Sequence, residues 1–194
     1  MRFAGLVLVL TVMLGLMPVT SFGQSPVRTA PQPTWTVGDT WTYMGANGSQ
    51  YSYTITGVAP DHYLLEYKEG SSDSAVQVGF DFSPGWFARF QWPLLLKKQW
   101  SFNTEGPAEN GKSGVNKFTT SMTVEAYESV TVPAGTFDTF RVKGIQCNQT
   151  QPGCGDFLVW YAPRAKNYVK VSWITPGHWI VSGKSTELLS YEIH

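Results

Sequence analysis

Residues able to do chemistry are few in this chain of 194 residues. The three histidines are His62, His178 and His194, and none stands at metal-ligand spacing from another. His178 lies in Thr-Pro-Gly-His-Trp with no base or nucleophile pattern beside it, so a solvated loop histidine is expected. Asp138 and Asp156 could serve as acid and base only if the fold brought them together. Solvated strand or turn positions suit most carboxylates better. Asp39 follows Gly38, in a turn or bulge of the first strand. There is no G-x-S-x-G elbow and no phosphate loop. The expectation is no catalytic residue, no metal ligand and no cofactor.

Two cysteines, Cys147 and Cys154, stand in CNQTQPGC, with Pro152-Gly153 as a turn between them. The spacing is not CxxC and no histidine is near in sequence. In an exported chain such a pair reads as a disulfide. Closing a loop this short would stabilise by about 2.5 kcal/mol in the chain-entropy picture.

Export itself is read from the start of the chain. Met1-Arg2 precedes an apolar run from Phe3 to Met17, then Pro18 and the small-residue exit Ser21-Phe22-Gly23. That is the pattern of a secretory signal peptide over residues 1–23. The run is short for a bilayer span, and no later segment is long and apolar enough for one. No cysteine follows the cleavage site, so a lipid anchor is not expected. Residues 24–34, QSPVRTAPQPT, read as a flexible leader, because they offer little apolar surface to offset the entropy of ordering. Residues 35–194 then form one domain. A periplasmic or extracellular location follows, with no integral membrane segment left after cleavage.

The domain is poor in charge and rich in rings. Charged residues are 14% of the chain, against a usual ~25%. Eight tryptophans, nine tyrosines and eleven phenylalanines take their place, a mixture that fits pleated sheets. Net charge is zero and no basic stripe exists, so nucleic acid is not an expected partner.

Period-2 alternation sets the elements that must position these residues. Trp35, Val37, Trp41 and Tyr43 share one parity, and after a turn at 46–49 so do Tyr51, Tyr53 and Ile55. Tyr63, Leu65 and Tyr67 follow, then Val76, Val78, Phe80 and Phe82. Ser83-Pro84-Gly85 fits a type II turn, leading into Trp86, Phe90 and Trp92. Pro93 ends that strand, and one turn of helix is expected near Pro93–Lys98. Gln99–Asn103, Phe118–Ala126, Asp156–Tyr161, Tyr168–Ile174 and Thr186–Ile193 are further strands, with residues 104–115 as the longest polar loop. In Val130–Val142, Pro133 and Ala134 suit a type I turn and Gly135 the positive-φ residue that completes a bulged hairpin. The apolar parity slips between Phe137 and Phe140, which calls for a bulge or local twist. The fold class is all-β: an antiparallel, up-and-down barrel or half-open barrel of about ten strands, with a β-sandwich as the alternative.

Four stretches together resemble a broad group of exported bacterial β-rich proteins of unknown function. They are the W-x-x-G-x-x-W-x-Y start in TWTVGDTWTY, the V-P-A-G-T-F hairpin, W-Y-A-P leading to V-K, and the terminal E-L-x-S-Y strand. The resemblance implies export and an antiparallel barrel-like fold, and no catalytic residue. Its members often carry a glycine-centred turn after W-Y-A-P; here Arg164-Ala165-Lys166-Asn167 replaces it, with Asn167 suited to the positive φ.

The ring content carries the functional expectation. Tyr63, Tyr67, Trp86, Phe90 and Trp92 would line an apolar pocket, unless they only fill the core. An exported, non-catalytic protein binding an apolar small molecule or a cell-envelope partner is the first reading. A carbohydrate- or cell-wall-binding module is the second, and a hydrolase the least supported.

Overall fold

A computed structural model describes residues 28–80, 88–107, 115–150, 153–174 and 185–194. The expected signal peptide of residues 1–23, the expected turn at Ser83-Pro84-Gly85, Trp86 and His178 lie outside the described residues.

Nearly every described segment is a strand: β1 (Thr29–Ala30), β2 (Thr40–Met44), β3 (Gln50–Val58), β4 (His62–Glu69), β5 (Ser72–Gly79), β6 (Leu94–Leu95), β7 (Gln99–Pro107), β8 (Val115–Val132), β9 (Gly135–Asn148), β10 (Cys154–Ala162), β11 (Asn167–Trp173) and β12 (Ser185–Glu192). One 3-10 turn, Pro163–Ala165, joins β10 to β11. Ten strands make one antiparallel sheet in the order β5-β4-β3-β2-β12-β11-β10-β9-β8-β7. β2 to β5 form one meander and β7 to β12 another, and β12 pairing with β2 joins them. The first and last strands of the domain are thus neighbours, as in an up-and-down barrel. Among the described residues β5 and β7 are the two edges of this sheet and do not pair with each other, an arrangement compatible with a half-open barrel or a sandwich.

The segment between those edges contributes to the interior. Ala88, Phe90 and Leu94 are buried in the same core cluster as the sheet residues. Among the described residues of this stretch only Leu94–Leu95 is a strand, pairing with Thr29–Ala30. The helical turn expected at Pro93–Lys98 is therefore a correction: Leu96–Lys97 form a tight turn, with Lys97 at φ 68°. A positive φ and a strand pair both exclude a helix there. The leader is described only from Arg28 onward. There Ala30 is fully buried and Gln32 donates its side-chain N–H to the Phe80 carbonyl at 2.8 Å. These residues gain backbone partners and burial from the domain, which their own composition does not supply.

The first strand also begins later than its alternation suggests. Asp39 N–H bonds the Thr36 carbonyl at 3.0 Å, closing a turn in which Gly38 has φ +98°. Val37 sits at the tip, exposed, while Trp35 and Trp41 are buried on either side of it.

The sheet bends through bulges. Thr56, Glu125, Val169 and Leu189 are each skipped in the strand register. Two of them align, because Ala126, Arg141, Trp160 and Lys170 sit side by side on β8 to β11. A bulge adds twist and bends its strand, so this row is a crease across four strands. The parity slip on β9 falls on it: Phe137 and Thr139 are buried below, Phe140 and Val142 above. The extra residue is Glu125, on the partner strand. Gly135 has φ +125° and opens β9 opposite Val132, as the hairpin requires.

Candidate aromatic site

Among the described residues, the rings singled out in the sequence, Tyr63, Tyr67, Phe90 and Trp92, fall into three groups. Tyr63 is buried against Trp35 (centroids 5.0 Å apart) and Phe80 (4.8 Å), and its hydroxyl accepts the Trp35 backbone N–H at 3.3 Å. Tyr67 belongs to a different group. Phe90 and Trp92 form a third, 5.3 Å apart, with Tyr161 at 5.5 and 4.9 Å.

Tyr67 ends a ladder of five tyrosines. Tyr43 stacks on Tyr168 at 4.6 Å and on Tyr51 at 5.4 Å, Tyr51 and Tyr53 meet edge to face at 5.6 Å, and Tyr53 and Tyr67 lie tilted at 5.2 Å. Below the bulge at Thr56 the odd-numbered residues of β2, β3 and β4 share one face, which assembles four of these rings. Tyr43 donates its hydroxyl to the Tyr168 carbonyl at 2.9 Å. Burial pushes the phenols of Tyr43 and Tyr168 well above their ordinary range, and those of Tyr51 and Tyr53 upward as well. At the wet end Glu69 accepts hydrogen bonds from Ser49 and Tyr67, and the Ser49 bond leads in holding its carboxyl below the usual value. The ladder is buried at Tyr43 and Tyr168, while Tyr51, Tyr53 and Tyr67 are half-buried at its outer end.

The Phe90–Trp92–Tyr161 group is less complete. Phe90 and Tyr161 are buried while Trp92 is half-buried. The indole N–H of Trp92 is out of contact with water and has no hydrogen-bond acceptor among the described residues. Burial pushes the Tyr161 phenol upward. The pairing of Tyr161 with Phe90 and Trp92 was not visible in sequence, because they lie some seventy positions apart and meet only through the segment entering the core.

Titratable groups are dispersed. His62 contacts Asp61 at 2.7 Å in an exposed turn, and Asp156 pairs with Lys143 at 3.5 Å. Asp156 lies opposite Ile145 on β9, seven positions from Asp138, or about 23 Å along the strand. The two carboxylates cannot share a substrate atom. Among the described residues no group of three or more His, Cys, Asp or Glu side chains could hold a metal ion. Cys147 and Cys154 face each other across β9 and β10 and are bonded, with S–S 2.03 Å.

Asp39 has a structural use. Fully buried, it accepts the Thr36 N–H (3.0 Å), the Lys166 ammonium (3.1 Å) and the His194 N–H (2.8 Å). Trp35 and Trp41 donate their indole N–H groups to the carbonyls of Lys166 (2.8 Å) and Ala165 (2.7 Å). The W-x-x-G-x-x-W start therefore docks on the turn after W-Y-A-P. Lys166, not Asn167, takes the positive φ there, at 53°. Asn167 is instead buried at the start of β11, and its side-chain oxygen accepts the Tyr168 N–H.

The sequence matches no protein-family profile. No curated protein is similar to it. Among solved structures, the chain is similar to a presumed exported protein with a YMCC-like fold from Bacteroides fragilis NCTC 9343, at 13% identity and TM-score 0.49. It is also similar to a presumed lipoprotein from Parabacteroides distasonis ATCC 8503, at 16% identity and TM-score 0.45. In both cases 84% of this chain and 99% of the other is covered.

Proposed function

We propose that this chain is an exported, non-catalytic β-rich protein that receives an apolar ligand, or the apolar part of an envelope component, against Phe90, Trp92 and Tyr161. The observation that carries the reading is the buried indole N–H of Trp92 with no acceptor among the described residues. Leaving such a donor unpaired costs about 1–3 kcal/mol. A ligand with an apolar body and one carbonyl or ether oxygen would cover the rings and accept that proton. Export is supported by the N-terminal pattern of residues 1–23 and by the bonded cysteine pair, since disulfides persist in oxidising compartments.

A glycan platform needs two exposed, coplanar rings. Among the described residues Trp35, Trp41 and Trp173 are buried and Trp92, Trp100 and Trp160 half-buried, which gives that reading less support.

The test is titration of the protein with a fluorescent apolar probe, alongside native mass spectrometry of material taken from the producing cell. Quenching of tryptophan emission and a co-purifying lipid-sized mass are expected, with W92F weakening the probe several-fold. A mass equal to the bare polypeptide and no quenching would sink the proposal.

A further inference from the structure

Positive charge without a carboxylate partner collects in one part of the fold. Among the described residues Lys68, Lys117, Arg141, Lys143, Lys166 and Lys170 each pair with an acid. The remaining cations there are Arg28, Arg89, Lys97, Lys98 and Arg164, none with an acidic partner among those residues. Printed along the chain they form no stripe, yet all five attach to one run of β8 or to its neighbours. The Arg28 guanidinium lies 4.3 Å from the centre of the Tyr127 ring. Arg164 lines a cleft together with Tyr127 and lies 4.6 Å from the centre of Phe137, on the strand paired with β8. Lys97 donates its backbone N–H to the Val124 carbonyl at 2.8 Å, and the Lys98 carbonyl accepts the Val124 N–H at 2.9 Å. The Arg89 carbonyl accepts the indole N–H of Trp100 at 2.7 Å, and Trp100 stands opposite Met122. Against these cations stand Asp138, in the same cleft as Arg164, and Glu125 and Glu128, which share Arg141. The region stays positive.

The turn between β6 and β7 belongs to this region and carries an apolar tip. The Leu95 carbonyl accepts the Lys98 N–H at 3.2 Å, and Leu96 is 44% exposed. Lys97 beside it is exposed as well. Lys98 is half-buried, and its Nζ donates to the Pro93 carbonyl at 3.0 Å, which leaves its charge unneutralised. β1 runs alongside: Thr29 is opposite Leu95, so the register sets Arg28 level with Leu96. A protruding leucine flanked by cations suits a lipid interface. The apolar side chain enters the acyl boundary while the charged heads stay among the headgroups. A soluble acidic partner would use the cations and give Leu96 no role.

We propose that the β6–β7 turn docks on an anionic lipid bilayer, with Leu96 entering the headgroup boundary and Arg28, Lys97 and Lys98 meeting lipid phosphates. Arg89 and Arg164 add attraction within a screening length. This docking goes beyond the ligand reading and does not depend on it, although it sets β6, which begins two residues after Trp92, at the membrane.

The test is co-sedimentation with vesicles of phosphatidylcholine, with and without phosphatidylglycerol. It uses residues 24–194, because the apolar run of residues 1–23 would itself bind lipid. Binding to the phosphatidylglycerol vesicles, falling steeply with added salt, is expected. A cation at such a surface is worth about fivefold, so R28Q should weaken partitioning about fivefold and K97Q/K98Q about twentyfold. L96A should weaken it several-fold. K68Q/K117Q removes equal charge elsewhere and should leave it near the parental value, with thermal unfolding checking that each variant is folded. No sedimentation at low salt, equal binding to both vesicle types, or an equal loss in K68Q/K117Q overturns the proposal. So does an unaffected L96A protein that polyglutamate displaces from the vesicles, which would mark a soluble acidic partner.

Discussion

A Cβ on Gly144 would stand 2.1 Å from Cζ of Phe157, because that ring lies across the glycine from the neighbouring strand. Gly135, nine residues earlier on β9, has open space around its missing side chain but φ +125°. One glycine is required by space and the other by backbone. G144A should cost about 3 kcal/mol by overpacking, and F157L should recover part of it in the double variant. G135A should cost about 1 kcal/mol, with no such partner. Urea unfolding of the four variants measures both; additive G144A and F157L effects would show that the ring and the glycine do not share one site. Gly135 was legible in sequence, since Pro-Ala-Gly carries turn chemistry locally. Gly144 was not, because the ring that excludes a side chain comes from another strand.

At the scale of elements, the buried Asp39 carboxylate links three places: the turn before β2, the connection after β10 and His194, two residues beyond β12. D39A leaves the Thr36 and His194 N–H groups and the Lys166 ammonium without their acceptor. Lys166 is partly exposed and can be rehydrated, so a loss of about 2–3 kcal/mol is expected. The emission of Trp35 and Trp41 should shift before global unfolding, since both indoles dock on that connection. A D39A protein as stable as the parent, with unchanged emission, would remove Asp39 from this role. Most strands were legible from alternation. Those that were not are β1 and β6, two residues each, which exist only because they pair with one another. The crease was half legible: β9 shows the parity slip, but the extra residue sits on β8.

At the scale of the molecule, Tyr43, Tyr51, Tyr53, Tyr67, Tyr161 and Tyr168 all have phenols raised above their ordinary value of 10, burial being the largest cause in each. In the unfolded chain they ionise near 10. Above that pH the unfolded state releases protons that the folded state keeps, so stability is fully present below pH 10 and falls as pH rises beyond it. Alkaline denaturation should be cooperative, with part of the phenolate absorbance appearing only as the far-UV signal is lost. Complete phenolate formation in a protein still folded would contradict the ladder. What the sequence determined by itself is the class of architecture: alternation, turn residues and ring content specify strands, and short connections specify an up-and-down order. Which rings meet was decided only by the tertiary structure. Tyr63, Tyr67 and Phe90 read alike along the chain, yet register, bulges and the entry of residues 88–95 send them to three different neighbourhoods. Contacts between residues seventy or more positions apart depend on how the sheet coils, and no local pattern records that.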